Sequence, residues 1–436
     1  MEHWLYVDNF RGFSETYIPI RDVNFLLGEN STGKTSMLAL INLLGSPEFW
    51  IRQEFNTDRV QLGRFKDIAS AKSDKKYFRI GVISWPQKGS RENVGEATLM
   101  TFTEEDNNPL ICQYNHLGKQ GEVRSVFHRG RIRYQFTPAD SLTRTEEDAL
   151  GIFKGWASEE YQTHEDYQIL AEKTPFDRKR ALLTIDRIMQ RIYGETNVAP
   201  SDVFRFSMPR FASRLAWIAP IRSKPKRTYD DYQLDFNPEG EHTPYLIKKL
   251  LGQKSSTKDF RKFLEQFGNQ SGLFETIDIK KYGRESIAPF QLNVVLSNIP
   301  LAIVNVGYGV SQALPVVVEL FARASGSQFA IQQPEVHLHP KAQAALGDLI
   351  FRLARDEKKR FFVETHSDYT IDRFRMSIRK AKGKAKISAQ VLFFERTPTG
   401  NRVIPIAILE NGEYSDNQPK SFREFFILEE LDLLGL

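Results

Sequence analysis

Gly28-Glu-Asn-Ser-Thr-Gly-Lys-Thr35 has the spacing G-x-x-x-x-G-K-[ST] and lies between the apolar run Val23–Leu27 and a helical pattern from Ser36 to Leu44. The glycines let the backbone curl so that its N–H groups face a phosphate, and the helix that follows adds the favourable end of its dipole. In that arrangement Lys34 reaches the β- and γ-phosphates of a nucleoside triphosphate, and the Thr35 hydroxyl meets Mg²⁺. Asn30, Ser31, Thr32, Gly33 and Ser36 complete the phosphate-facing turn. The plainer alternative is a glycine-rich turn that merely opens a helix. The strand before the motif and the helix after it favour the phosphate loop.

Two further segments carry the same chemistry. Ser327-Gln-Phe-Ala-Ile-Gln-Gln-Pro-Glu-Val-His-Leu-His-Pro340 reads as a short apolar strand running into polar residues and proline. A phosphate-loop ATPase keeps its Mg²⁺-coordinating acid and its water-activating glutamate at such a strand end. Arg360-Phe-Phe-Val-Glu-Thr-His-Ser367 is another buried-strand pattern, ending in Thr-His-Ser. Between the middle of the chain and these strands, Val306-Gly-Tyr-Gly-Val-Ser-Gln-Ala-Leu-Pro315 is a glycine-containing turn that opens a helix, a ready anion site.

The elements that must position these residues alternate along the chain. Residues 2–27 read as two short strands around Asn9–Phe13. Strand patterns at Tyr77–Ser84, Ala97–Phe102, Leu110–Tyr114 and Ile132–Phe136, separated by polar turns such as Glu105–Pro109, predict an antiparallel meander. From about Ser141 to Gly268 the apolar spacing turns mostly helical, as at Leu182–Ile192. Strand-like runs return at Phe290–Leu296 and Leu301–Val306, after which helix and apolar strand alternate, the mark of a mainly parallel sheet. The expected fold is therefore α/β, with an antiparallel β-subdomain and a helical insertion. Residues 1–140 form the first part of the nucleotide-binding domain, 141–289 the insertion and 290–436 the second part.

Bulk properties narrow the function. The 436 residues, 41% of them hydrophobic, suffice for a sizeable core, and no apolar run approaches a membrane span. The N-terminus lacks the regions of a signal peptide, and the single cysteine, Cys112, fits a reducing cytoplasm. A net charge of +5 permits nucleic-acid contact without demanding it.

Together the segments resemble the ABC-type ATPases related to the structural-maintenance-of-chromosomes (SMC), RecF and OLD proteins, above all the stand-alone ATPases of bacterial defence loci such as the Septu ATPase and relatives carried with retrons. The likeness runs through Asn9-Phe-Arg11, the phosphate loop, Leu62–Asp67, Ile218–Tyr229, the Gly307–Gln312 signature, Pro334–Pro340 and Glu364–Ser367. It implies ATP and Mg²⁺ as ligands, with Lys34 and Thr35 on phosphate and metal and Arg11 approaching the nucleotide. Gln61 and Gln332 would contact metal or its water. It also implies a homodimer, or a higher homo-oligomer, with ATP at the interface. Gly309 and Ser311 would touch the γ-phosphate held by the opposing subunit, and His366 would face the γ-phosphate of its own site. A satisfied histidine at a strand end is the alternative for His366.

The departure from the family lies at Gln332-Gln333, where relatives usually carry an acid first and often Glu or Gln second. An amide accepts a hydrogen bond from a metal-bound water, but it brings no charge to Mg²⁺ and takes no proton at neutral pH. Loss of a general base costs about 10²–10⁴ in rate. Glu335 stands close by as a partial substitute. The sequence thus predicts binding that outlasts turnover, whether the site is naturally weak or carries a Glu→Gln substitution that traps nucleotide.

Two basic clusters, Arg222–Arg227 and Arg373–Lys386, would contact nucleic-acid phosphates or else form solvated faces. His337 and His339 lack a third ligand nearby and read as part of the loop contacting a neighbouring subunit. The amphipathic tail Pro419–Leu434 would pack on the core or dock a partner. The leading functional expectation is an ATPase that senses infection and gates a separate effector, a nuclease. About seventy residues follow Ser367, near the lower limit for a domain, so no nuclease is expected within the chain. The alternative is a RecF- or SMC-like ATPase acting on DNA. A GTPase is disfavoured by the lack of an Asn-Lys-x-Asp base-reading motif.

Overall fold

The computed structural model describes residues 2–85, 95–118, 121–128, 131–138, 146–160, 167–169, 209–230, 234–253, 257–285 and 288–424. The chain forms two compact units. Unit one comprises Met1–Arg21, Glu29–Ser213 and Phe394–Pro405; unit two comprises Asp22–Gly28, Arg214–Phe393 and Ile406–Leu436.

Unit one is built on an antiparallel sheet. Strands β1 (Glu2–Asp8) and β2 (Thr16–Ile20) pair, and the chain then gives β3 (Val23–Gly28) to unit two. It continues through β4 (Tyr77–Trp85), β5 (Glu96–Glu105), β6 (Asn108–Gly118), β7 (Gly121–His128), β8 (Arg131–Pro138) and β9 (Gln168–Ile169), in the order β2-β1-β4-β5-β6-β7-β8-β9. The β5–β6 reversal uses Asp106 and Asn107, both at positive φ (50° and 64°), the geometry that matches strand twist in a two-residue hairpin. The helices are α1 (Lys34–Leu44), α2 (Pro47–Arg52), α3 (Phe65–Ile68) and α4 (Glu146–Ser158). Phe153 and Trp156 of α4 are buried with Tyr6, Ile83, Leu99 and Leu117 of the sheet. The Trp156 indole donates to Glu122 at 2.7 Å, and buried Arg79 donates to the Ala157 and Glu159 carbonyls. Arg79 thereby satisfies acceptors that the end of α4 leaves open.

Unit two holds the second sheet. After β10 (Leu215–Ile218) come α5 (Thr243–Gly252), α6 (Thr257–Ser271) and a small antiparallel sheet of β11 (Thr276–Lys281), β12 (Phe290–Leu296) and β13 (Ile299–Ala302). Then follow α7 (Tyr308–Ala322), β14 (Gln328–Gln332), α8 (Pro340–Glu357), β15 (Arg360–Glu364), α9 (Asp368–Ala381), β16 (Ala389–Thr397), β17 (Gly400–Ile408) and α10 (Lys420–Glu424), the stretch Phe394–Pro405 of β16 and β17 being counted with unit one. The larger sheet has the order β10-β14-β15-β3-β16-β17, and β10, β14, β15 and β3 are parallel. Strands β3 and β14 are buried along their whole length, as parallel strands covered on both faces must be. Helices α8 and α9 approach so closely at Gly347 that an added Cβ would lie 2.1 Å from the Thr370 carbonyl oxygen. That approach holds the segment between β15 and α9, where Thr-His-Ser lies, against α8.

The α/β class and the antiparallel meander are as the sequence indicated. Three differences stand out. Residues 2–28 contain three strands rather than two, because the chain breaks pairing at Arg21-Asp22. The Leu301 run is a short strand followed by a 3₁₀ turn at Ile303–Asn305. The stretch 141–289, read as mostly helical, also supplies β10 to the parallel sheet and β11 to the small one. The helix expected at Leu182–Ile192 lies outside the described residues, as does the tail beyond Glu424. Phe422 of α10 packs on Phe393 and Tyr414, so the described part of the tail covers the core.

Candidate functional site

In unit one, the loop after β3 takes the shape its sequence demands. Ser31 and Gly33 sit at positive φ (61° and 97°), which curls the backbone before α1 begins at Lys34. Gly33 is also sterically required, because a Cβ there would meet the Phe13 ring at 2.5 Å. Lys34 is 4% exposed, and its Nζ donates to the Glu29 carbonyl at 2.6 Å. The amine is thus folded back over its own loop. Thr32 Oγ1 donates to the same carbonyl at 2.8 Å, while Asn30, Ser31 and Thr35 are exposed.

Arg11 is tied into this half. It sits at positive φ and donates to Ser36 Oγ at 3.2 Å, to the Leu62 carbonyl at 2.8 Å and to the Asp67 carbonyl at 3.2 Å. Burial lowers its pKa, and Asp67 opposes that shift. Arg11 and Ser36 are therefore joined by a side-chain hydrogen bond. Gln61 is exposed and donates to the Thr57 carbonyl of its own loop at 2.7 Å. Sequence reasoning missed Arg396, whose guanidinium donates to the Ser31 carbonyl at 2.7 Å. No local pattern links it to a loop 365 residues away.

In unit two, the ends of three parallel strands line up. Gln332 of β14 is in register with Glu364 of β15, which is in register with Leu26 of β3. The phosphate-loop motif starts two residues beyond Leu26. Beyond the strands, the Gln333 N–H donates to the Glu364 carbonyl at 2.7 Å, and the Thr365 N–H donates to the Leu26 carbonyl at 3.2 Å. Gln332 is buried, and its Nε2 donates to Glu364 Oε2 at 3.0 Å. Gln333 turns the chain at φ 42°. Glu335 Oε1 accepts from the His366 N–H at 2.8 Å, while the His366 residue is exposed. The ends of β14 and β15 thus bring Gln332, Gln333, Glu335 and His366 together and add Glu364, buried and carboxylate-bearing, which the motif spacing does not single out.

Two expectations need correction. Arg222 is not part of a basic surface: it is 1% exposed, and its Nη2 donates to the carbonyls of Gln332 and Gln333 at 2.9 and 3.3 Å. Burial lowers its pKa to about 10, against the pull of Glu335. Burial likewise raises the Glu335 carboxyl, more than the His366 N–H bond lowers it. Ser311 does not open its helix. Helix α7 starts at Tyr308, and Ser311 is buried with its hydroxyl donating to the Tyr308 carbonyl at 2.7 Å. It lines a cavity of about 440 Å³ with Lys224, Lys226 and Tyr245. The outward end of α7 is Gly307 and Tyr308, with Gly309 half-buried under the His337 carbonyl. The Tyr308 ring lies edge-on to His337, 5.0 Å between centroids.

Of the second basic cluster, Arg375 is used internally, bonded to the Gly412 carbonyl and stacked on Tyr414. Arg379, Lys380, Lys382, Lys384 and Lys386 remain exposed. Among the described residues no group of three or more His, Cys, Asp and Glu side chains could hold a metal by itself. A magnesium ion carried by nucleotide phosphates needs only one or two carboxylates besides water. The Glu364 carboxylate beside the Gln332 amide fits that requirement. No helix among the described residues is long and apolar enough to cross a membrane.

A family profile described as an AAA ATPase domain matches residues 1–111 and 217–371. No curated protein matches the chain. Among solved structures it is similar to an SMC head bound to the C-winged helix domain of ScpA, at 11% identity, TM-score 0.44, 93% of this chain and 97% of that one. It is also similar to the SMC head domain from Thermotoga maritima, at 9% identity and TM-score 0.36, covering 92% and 97%. A third is an SMC head with an extended coiled coil, bound to a ScpA domain derived from Pyrococcus furiosus, at 12% identity and TM-score 0.38, covering 99% and 100%.

Proposed function

The chain belongs to the AAA ATPase domain family, and on that premise we propose that it is an ATP-binding, ABC-type ATPase that hydrolyses slowly and gates a separate effector, a nuclease, in bacterial anti-phage defence. The observation that carries this reading is the pair of amides at the end of β14. Gln332 spends its amide N–H on Glu364, and neither Gln332 nor Gln333 can take a proton from water. Binding needs only the phosphate loop, with Lys34, Thr35 and the loop N–H groups on the phosphates and Arg396 and Arg11 bracing the turn. A protein that holds ATP long before cleaving it is suited to signalling a bound state rather than to driving work. Magnesium, when bound, would neutralise the phosphate charge.

Gating follows from assembly. Two subunits would enclose ATP, each presenting the start of α7 to the nucleotide on the other. The donors there are the unpaired N–H groups of Tyr308 and Gly309, not the Ser311 hydroxyl. Gly307→Glu tests this without disturbing packing, because a Cβ at Gly307 meets nothing within 4 Å. A carboxylate at a helix start is locally favourable but repels a phosphate. The variant should keep ATP affinity within about twofold while losing ATP-dependent dimerisation, read by light scattering with and without nucleotide. A chain of unchanged mass in both conditions, before any substitution, removes the gating mechanism.

The exposed cluster Arg379–Lys386 favours a second reading, a RecF- or SMC-like ATPase on nucleic acid. Its mark is duplex binding that falls steeply with salt.

A further inference from the structure

The cavity of about 440 Å³ in unit two is lined by the segment after β10, the loop before α5 and the flank of α7. Its volume falls in the range of small-molecule sites. Tyr245, Leu292, Ile303 and Leu314 give it a buried, apolar lining. The exposed part of the lining is charged, with Lys224 and Lys226 on one segment and Glu239 and Glu241 on the other. Exposed charges are ordinarily just solvated, but here both signs border one cavity. None of the four enters an ion pair found among the described residues. Thr243 lines the cavity too, and its hydroxyl is buried without a partner. The walls are held in place with no ligand between them. The Ser223 N–H donates to the Glu239 carbonyl at 2.8 Å, which joins the two charged segments, and the Tyr229 hydroxyl accepts from the Lys226 N–H at 3.1 Å. His242 meets Glu319 of α7 at 2.7 Å, and a Cβ added at Gly240 would lie 2.6 Å from Pro315 Cβ, so the loop before α5 is fastened to α7.

We propose that this cavity binds a nucleoside monophosphate, through residues none of which belongs to the phosphate loop. A ligand that answers the whole lining must bring an anion for two ammonium groups, hydrogen-bond donors for two carboxylates and a flat body for the apolar part. A mononucleotide brings all three. Its phosphate meets Lys224 and Lys226, its ribose hydroxyls donate to Glu239 or Glu241, and its base enters among Tyr245, Leu292, Ile303 and Leu314. Carboxylates hold ribose hydroxyls in other nucleotide sites, and lysine binds phosphate as a point charge. The edge of the base also offers the Thr243 hydroxyl the acceptor it lacks. Inorganic phosphate would use the lysines alone, and a simple carboxylic acid would leave Glu239 and Glu241 facing nothing.

The test titrates AMP, GMP, CMP, UMP and inorganic phosphate into the full chain and into the full chain carrying Lys34→Ala, by calorimetry. At least one monophosphate should bind with a Kd tighter than about 1 mM, and Lys34→Ala should change that affinity by less than about twofold. Inorganic phosphate should bind at least about tenfold more weakly. Lys224→Ala combined with Lys226→Ala should weaken the nucleotide at least about tenfold with an unchanged melting temperature, because both side chains are exposed. Glu239→Gln combined with Glu241→Gln should weaken the ribonucleotide but not its 2′,3′-dideoxy analogue, which has no hydroxyls to donate. Binding of none of the four, phosphate alone binding as tightly, or binding that disappears with Lys34→Ala overturns the proposal. So does a double lysine variant that binds as the parent does. None of these results touches the ATPase reading, which stands or falls on ATP binding by the unsubstituted chain.

Discussion

Replacing Lys34 with alanine is expected to weaken ATP binding at least about a hundredfold while leaving the fold intact. Lys34 is the first residue of α1, and the backbone around it is set by Ser31 and Gly33 rather than by its side chain. Its amine rests on the Glu29 carbonyl at 2.6 Å, a bond it can exchange for phosphate oxygens without unfolding the loop. Charge-assisted hydrogen bonds contribute about 1.5–3 kcal/mol each, and one such bond to each of two phosphates amounts to roughly 10²–10⁴ in affinity. Alanine is also a good helix former, so α1 should persist. Calorimetric titration of both proteins, with melting curves as a control, measures the effect. Equal affinities would mean that the loop does not bind the triphosphate.

Gln332→Glu should have an effect whose sign depends on magnesium. The Gln332 amide donates to Glu364 Oε2 at 3.0 Å in a buried setting. A carboxyl in its place would face another carboxyl, and two such groups cannot both ionise without a cation. One of them would hold its proton to a higher pH in the folded chain than in the unfolded one. The variant should therefore lose stability, relative to the parent, as pH rises through that raised pKa, and should keep it at lower pH. Magnesium with nucleotide should cancel the loss. Turnover should then rise at least about tenfold, because the metal gains a charged ligand. Melting temperatures at pH 5 and 8, with and without Mg²⁺ and ATP, together with a phosphate-release assay, read both effects. A variant indifferent to magnesium would show that the β14 end is not where the metal sits.

The phosphate loop was legible because its spacing is a direct consequence of backbone geometry, and Gly33 and Lys34 stand where that geometry requires. The meander was legible from alternating residues and polar turns, although β7 escaped notice between its neighbours. What the sequence hid was tertiary. Arg222 lies in a basic-looking run, and only the fold turns it inward to the Gln332 and Gln333 carbonyls. Ser311 stands beside glycines and looks like part of a helix start, but α7 begins three residues earlier and the hydroxyl bonds back into its own turn. Glu364 stands within the Glu364–Ser367 motif, where the sequence alone assigns it no chemistry. Its meaning depends on strand register, which places it beside Gln332 and is not written in either segment alone.

The proposal that this chain holds ATP long before cleaving it is tested most directly by asking what nucleotide it keeps. Purified protein is mixed with Mg²⁺ and radiolabelled ATP, separated rapidly from free nucleotide, and quenched at intervals for separation of ATP from ADP. A retentive site with amides at Gln332 and Gln333 predicts stoichiometric nucleotide that stays predominantly ATP over many minutes. Nucleotide recovered as ADP at the first time point, or none retained at all, would contradict it.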